Sequence, residues 1–478
     1  MQVEQQAAVA LKWHAIAKLC SQAFSWAVTL IVVRLLAPED YGLMAVSMVI
    51  ISIIAGTAEF GLGSSLIQAQ NLDRHELARV AGALGLFNLV CGVALAASAP
   101  WIATLFNEPG LDLVIQVSTL HFVLYAIEVV PQALMQREMN FKRNAAIEVA
   151  AVVAGSATTL VLAWLDAGVW ALVTGNLIGG TVRTLLFVVL GTFVLPSFVL
   201  TGIGRHIRFG GQVTAARFLW QLTYQLDTLI AARFLTGQAV GLYSVSMHLA
   251  TLPVSKTMAI VNQVAFPAVA RLQNELPRMR ARLLEALRLL AFVAIPALWG
   301  LSATAHEFVD VVLGARWHEA SLPLALVSII APARMLMALF ATAASAIGRA
   351  DLDVRNTLVG ALILPVAFLI GVQGNLNGLA TSWLAGIPII LALTLPRTSS
   401  ALGLSLRNVL AAVRGPLIGG VVMYGAVFAM RTTISDLEEI VRLPLLIVAG
   451  AVTYLLVVAL ADRAIWGDLR RLAAALHG

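Results

Sequence analysis

The sequence predicts an all-α polytopic membrane protein: about fourteen transmembrane helices, as two six-helix lobes related by a parallel pseudo-two-fold repeat plus two C-terminal helices. Three observations lead there. First, 60% of the 478 residues are hydrophobic and 12% charged, with mean hydropathy +0.90, whereas a soluble domain carries roughly 25% charged residues. Second, the apolar residues form continuous runs of about twenty, the length a helix needs to span hydrocarbon; a membrane barrel would show roughly ten-residue alternating segments instead. Third, a shift of 199 residues superimposes Lys18 on Arg217, Gln22 on Gln221, Thr29-Leu30-Ile31 on Thr228-Leu229-Ile230 and Arg34 on Arg233. The same shift puts Gly42-Leu43 on Gly241-Leu242 and Val46-Ser47-Met48 on Val245-Ser246-Met247. Long-period internal repetition is how many transporters are built.

The spans are expected at 14–35, 42–66, 79–105, 113–135, 144–165, 168–192, 210–234, 240–265, 284–305, 322–347, 355–372, 376–395, 414–431 and 443–462. The first follows Trp13 and runs into Leu35-Leu36 without a small-residue cleavage site, so it is expected to remain as a span. Arg34 and Arg233 close the first helix of each repeat, where a cation satisfies terminal carbonyls and favours the helix dipole. Gly42 and Gly241 open the helix that follows.

The connections alternate in charge. QAQNLDRHELAR, QREMNFKR, the 6–7 linker, RLQNELPRMRARLLEALR, RADLDVR, PRTSSALGLSLRNVLAAVR, the tail and the N-terminus together hold 21 of the 31 Lys and Arg residues. The opposite set, including RLLAPEDYG, NEPGLD, HEFVDVVLGARWHEA and RTTISDLEEIVR, holds 4, and 6 fall inside spans. The positive-inside rule then puts both termini in the cytoplasm. It also accounts for the net charge of +6 through an anionic inner leaflet, with no call for nucleic acid.

The 199-residue offset covers six helices, an even number, so both copies enter the membrane in the same sense. The organisation expected is an N-lobe at 1–192, a linker at 193–209, a C-lobe at 210–395, and two helices with a cytoplasmic tail at 396–478. Part of the linker is expected to lie on the surface as a short amphipathic helix.

A charge at the centre of a membrane helix costs about 2.5–3.5 kcal/mol, so those present usually face a cavity or a partner. Lys18 and Arg217 share one repeat position, which predicts that they face each other between the lobes and hold a phosphate or pyrophosphate. Gln22 and Gln221, one turn along, would supply hydrogen bonds. The competing reading has both cations snorkelling to headgroups. Arg334, near the middle of span 10, is too deep to snorkel and is expected to face the cavity. Lys256 and Arg183 sit in the cytoplasmic halves of their spans and are read as facing headgroups. Glu59 is expected to be buried against a polar partner beside the glycine-rich end of span 2. Glu128 is open to a structural salt bridge or to substrate, and Glu148 is a further intramembrane acid. Asp227, about 15 Å along its helix from Arg217, is open to proton or sodium coupling or to an ion pair.

Cys20 and Cys91 form no CxxC, and His121 and His248 have no ligand spacing, so neither a disulfide nor a metal site is expected. No other cofactor is expected. The histidines read as packing or cavity-lining residues.

The segments VVRLLAPEDYGLMAVSMVI with EFGLGSSLIQ, QLDTLIAARFLTGQAVGLYSVSMHLATLPVSKTMAIVNQVAFPAVARLQ, and LGARWHEASLPL with SAIGRADLDVR carry a resemblance. The chain resembles the bacterial polysaccharide transporter family, Wzx-type oligosaccharide flippases of the multidrug, oligosaccharidyl-lipid and polysaccharide exporter superfamily. The resemblance covers most of residues 12–355. It implies the two-lobed fold of multidrug extrusion proteins and the lipid II flippase, alternating access, and residence in the bacterial inner membrane. The implied substrate is an undecaprenyl-pyrophosphate-linked oligosaccharide, with membrane lipids, a polysaccharide polymerase and export machinery as partners. Cavity cations for the anionic head, a family feature, fit Lys18, Arg217 and Arg334. The alternatives are an ion-coupled multidrug or small-molecule exporter, which favours a cavity of carboxylates and aromatics, and a membrane glycosyltransferase or polymerase. The second usually needs a large outer loop, and the longest here is about sixteen residues. A channel would need a filter-like loop or a ring of charges.

Overall fold

The computed structural model describes residues 21–58, 73–138, 140–199, 218, 221–222, 225–271, 275–462 and 465–468. Among them there is no strand. Helix α1 is described over Ser21–Leu35, followed by α2 (Pro38–Ala58) and α3 (Arg74–Phe106). Then come α4 (Leu111–Ser118), α5 (Leu120–Arg137), α6 (Phe141–Trp164) and α7 (Val169–Leu190). Helix α8 is described over 225–234, and α9 covers Gly237–Arg271. Helix α10 (Leu276–Ala303) leads into α11 (Ala305–Phe308), a π-helical turn Val309–Leu313 and a 3-10 turn Ala315–Ala320. The rest is α12 (Ser321–Ala346), α13 (Ala350–Gly371), α14 (Asn375–Ala401), α15 (Leu406–Thr433) and α16 (Glu439–Ala461).

Ten stretches among the described residues are long and apolar enough to cross a membrane. The longest, Asp351–Ala401, breaks at Val372–Gly374 and Asn375, whose φ is 59°, into α13 and α14. Each of the fourteen expected spans overlaps helix among the described residues. The outward faces are apolar: Leu362 and Leu460 are 73% and 83% exposed, a surface that suits lipid and not water. Helix α3, with 33 residues, is about 50 Å long and so overshoots a core of about 30 Å. Its first turns carry Arg74 and Arg79, side chains suited to a headgroup zone.

Local chemistry sets the turns. Pro38 opens α2, where its missing N–H is no loss, and Asp40 Oδ2 accepts the Ala37 N–H at 3.0 Å. Between α6 and α7, Gly168 sits at φ 57°, ψ −137°, a conformation essentially reserved for glycine.

The chain forms two compact units, Met1–Gly241 and Leu242–Gly478. In the first, Leu77, Val80 and Leu84 of α3 pack against Val129, Val130 and Ala133 of α5. Val28, Val32 and Leu36 pack against Ala163 and Ala171. Within this unit the glycines matched by the repeat lie at a close approach of α2 and the start of α9. A Cβ on Gly42 would meet the Gly237 carbonyl, and one on Gly241 the Pro38 carbonyl. The second unit has one large core, in which Leu287, Leu290 and Leu298 of α10 meet residues of α12, α15 and α16.

Of the linker, residues 193–199 are non-helical, with the Ser197 N–H donating to Ala78 O of α3 at 2.7 Å; residues 200–209, the remaining room for the expected surface helix, lie outside the described residues. Two expectations change. The stretch PRTSS, read as a loop, continues α14 through Pro396 to Ala401. HEFVDVVLGARWHEA, also read as a loop, is three short helical turns.

Candidate functional site

The first unit holds a cavity of about 390 Å³ among α1, α5, α6 and α7, lined by Ser25, His121, Glu148, Thr159, Asn176 and Arg183 with four glycines. The glycines explain its geometry. Gly175 and Gly179, four residues apart on α7, meet Gly155 on α6: a Cβ on Gly155 would stand 2.9 Å from Gly175 O and 3.3 Å from Gly179 Cα. Small residues at this spacing let membrane helices approach backbone to backbone. That leaves the side chains flanking the contact to line the open space beside it.

Charge enters through one pair. Arg183 Nη2 donates to Glu128 Oε1 at 2.6 Å and Arg183 Nε to Glu128 Oε2 at 3.0 Å. Thr184 Oγ1 adds a third bond to Oε2 at 3.0 Å. Three donors on one carboxylate make burial of Glu128 tolerable. Arg183, read from the sequence as facing headgroups, instead grips this acid and lines the cavity, because a bidentate partner on α5 is in reach. His121 lines the cavity with its Nδ1 3.0 Å from Ser118 O. Glu148 lies within electrostatic reach of both Arg183 and Glu128. The arrangement offers one arginine face, one acid, Glu148, and neutral hydrogen-bonding groups to a polar guest.

In the second unit Arg334 lies on α12, two residues after the helix-interior Pro332. Its guanidinium carbon stands 4.5 Å from the ring centroid of Trp383, and its Nη1 has no hydrogen-bond partner. Trp383 is held by a bond from Nε1 to Tyr243 Oη at 2.8 Å and by an edge contact with Phe368. The stacked guanidinium thus keeps one buried donor without a bond, a polar group that costs free energy until it meets an acceptor.

The other expected site residues divide. Lys18, Arg217 and Glu59 lie outside the described residues, as does the side chain of Lys256. Gln22 is half-buried, and Gln221 Nε2 donates to Ser52 Oγ at 3.2 Å. Asp227 is 3% exposed, with Thr228 Oγ1 at 3.4 Å from its Oδ1. The sequence reading passed over Thr159 and Asn176. The GNLIG motif at 175–179 was the available signal for a close helix pair, and Asn176 lies inside it.

A family model described as a polysaccharide biosynthesis protein matches residues 31–322. The chain is similar to the lipopolysaccharide biosynthesis protein WzxC of Escherichia coli, 28% identical over 377 residues, 78% of this chain and 76% of that protein. It is similar to the succinoglycan biosynthesis transport protein ExoT of Rhizobium meliloti, 24% identical over 310 residues, 64% of this chain and 63% of that one. Its fold is similar to that of the lipid II flippase MurJ in an inward closed conformation, with TM-score 0.75, 13% identity, and coverage of 95% of this chain and 99% of that one.

Proposed function

The chain belongs to the polysaccharide biosynthesis protein family, and from that premise we propose that it is a flippase for lipid-linked oligosaccharide. It turns an undecaprenyl-pyrophosphate-linked oligosaccharide from the cytoplasmic to the periplasmic leaflet of the bacterial inner membrane, for assembly of a surface polysaccharide. Both termini are cytoplasmic, as the loop charges indicate. The observation that carries the reading is the polar cavity with its Arg183–Glu128 pair among apolar helices. Polar groups at membrane depth are costly and persist where they face a guest or a partner. Sugars need hydrogen-bonding walls of that kind.

In this mechanism the lobes at 1–192 and 210–395 rock about a fixed site. Lys18, Arg217 and Arg334 neutralise the pyrophosphate, and Gln22 and Gln221 bond to it or to the sugars. The lipid tail stays in the bilayer, so only the polar head crosses, and no covalent bond is made or broken. Asp227 takes up the proton or sodium ion that resets the cycle. Released substrate passes to a polymerase and export machinery.

The test is to measure surface glycan and lipid-linked intermediates in cells whose only copy is deleted, or carries Lys18→Ala or Arg217→Ala, with membrane levels checked. Deletion is expected to abolish surface glycan and trap intermediates in the cytoplasmic leaflet. Unchanged export and intermediates on deletion would sink the reading for that pathway. Normal export from both point variants would remove those two cations from the site.

A further inference from the structure

We propose that His306, Asp310 and His318 form a binding site for a divalent transition-metal ion of the zinc class. All three lie in the segment between α10 and α12, which belongs to the set of connections poor in Lys and Arg. Their ligand atoms lie within 4.8 Å of one another. His318 Nδ1 stands 2.9 and 3.0 Å from the two oxygens of Asp310. His306 Nε2 is 3.8 Å from Asp310 Oδ2, beyond hydrogen-bond range, and the two imidazoles meet edge-on at 4.5 Å between centroids. Three donors thus converge on one point, although the carboxylate bonds directly to only one of the rings.

The donor set and its backbone fit such an ion. Two imidazoles and a carboxylate are the usual three protein ligands of an open zinc site, with the fourth position left to water. Tetrahedral ligands about 2.0–2.1 Å from the metal lie about 3.4 Å from each other, so only small side-chain rotations separate the present spacing from coordination. His306 and Asp310 are four residues apart on α11 and the π turn, which puts them on one face. The positive φ of Gly314, 99°, then reverses the chain and brings His318 back over them.

The support is rigid. Glu307, Val309, Leu313, Trp317 and Ala320 are all buried, so the segment has an inner, anchored face and an outer one that carries the ligands. Glu307 is held in place by Arg431 Nε at 2.7 Å and Arg442 Nε at 3.2 Å from its Oε1. The side chain of His318 is 54% exposed, which leaves a path for a hydrated ion. Rigid anchoring beneath partly exposed ligands is what a preorganised site requires. Positions 306, 310 and 318 match no familiar ligand spacing; the π turn and Gly314 assemble them.

The test uses the full chain in detergent, carrying a tag without histidine, stripped with chelator and titrated with zinc chloride. The expected result is saturable binding of one zinc ion per chain and a higher melting temperature with zinc. Loss of an outer-shell partner alone weakens metal sites about 10–100-fold, so His318→Ala and Asp310→Asn are expected to weaken binding at least that much. They should also abolish the zinc-dependent rise in melting temperature. His75→Ala, at an exposed histidine on α3, should change neither. Should Asp310→Asn fail to fold, His318→Ala decides, since that side chain is mostly exposed. Absence of saturable binding, or equal binding by wild type and His318→Ala, overturns the site.

Discussion

Glu128 and Arg183 meet in a two-point ion pair inside the first unit, the acid 1% exposed and the arginine side chain 31% exposed. The asymmetry has consequences. The carboxylate is fully committed to its three donors, whereas the guanidinium keeps one side open to the cavity. Removing the arginine strands a buried charge, which typically costs about 3–5 kcal/mol. Removing the charge of the acid leaves a cation that still reaches polar space, at a smaller cost of about 1–3 kcal/mol. Thermal unfolding in detergent should therefore rank Arg183→Gln below Glu128→Gln. The double variant should lose less than the two single losses combined; additive losses would mean that the pair is not coupled.

Gly175 at the α6–α7 contact and Gly85 on α3 should respond in opposite directions to alanine. A Cβ at Gly175 would run into Thr159 Oγ1 and stand 2.9 Å from Gly155 O. Gly175→Ala must then push the helices apart, with an overpacking cost of about 1–3 kcal/mol and a reshaped cavity. Gly85 on α3 has nothing within 4 Å of its added Cβ, and alanine there should gain about 0.5–1 kcal/mol from reduced backbone freedom. Melting temperatures of the two variants should move in opposite directions, and export should fall only for Gly175→Ala.

These two sites also mark where sequence reasoning ran out. The helices were legible because hydrocarbon thickness dictates run length, and the outward faces of α13 and α16 follow that rule. Glu128 and Arg183 were legible as costly intramembrane charges. Their pairing was not, because it joins residues 55 apart and depends on how α5 and α7 face each other. Gly175 and Gly179, not singled out in the sequence, have the four-residue spacing of close helix packing, but that spacing does not name the partner helix. Residues 193–199 of the linker run non-helically beside α3, with the Ser197 N–H bonded to Ala78 O, and its amphipathic reading rests on 200–209, outside the described residues. The short turns at 305–320 were hidden for a similar reason: a buried Trp317 and a buried Glu307 order a stretch that reads as a polar loop.

The C-terminal segment is tied to the second unit by Arg288, which bonds through Nη1 to Asp468 Oδ2 at 2.6 Å and stands 3.6 Å through Nε from Asp462 Oδ2. Asp468 is buried, so Arg288→Ala removes its 2.6 Å ion-pair partner and should loosen residues 465–468 from α10. Limited proteolysis should then cut the tail of the variant faster than that of wild type. Equal cleavage rates would show that apolar contacts, such as that of buried Ile465, suffice to hold it.

Arg334 offers the sharpest separation of charge from shape. Its guanidinium stacks on Trp383, and that ring is fixed by Tyr243 and Phe368. Lysine at 334 keeps the charge but loses the planar stack, so the loss is confined to the cation–π contact, about 0.5–2 kcal/mol. Alanine loses the charge as well. If the free Nη1 serves an anionic head group, surface glycan should fall modestly in Arg334→Lys and strongly in Arg334→Ala. Lipid-linked intermediates should accumulate in the same order, with protein levels held equal. Trp383→Phe keeps a ring beneath the guanidinium but drops the bond to Tyr243, and should resemble Arg334→Lys. Export at wild-type level from Arg334→Ala, with a lowered melting temperature, would make the arginine a structural prop of the aromatic cluster. In that case the anion contact must come from elsewhere in the chain.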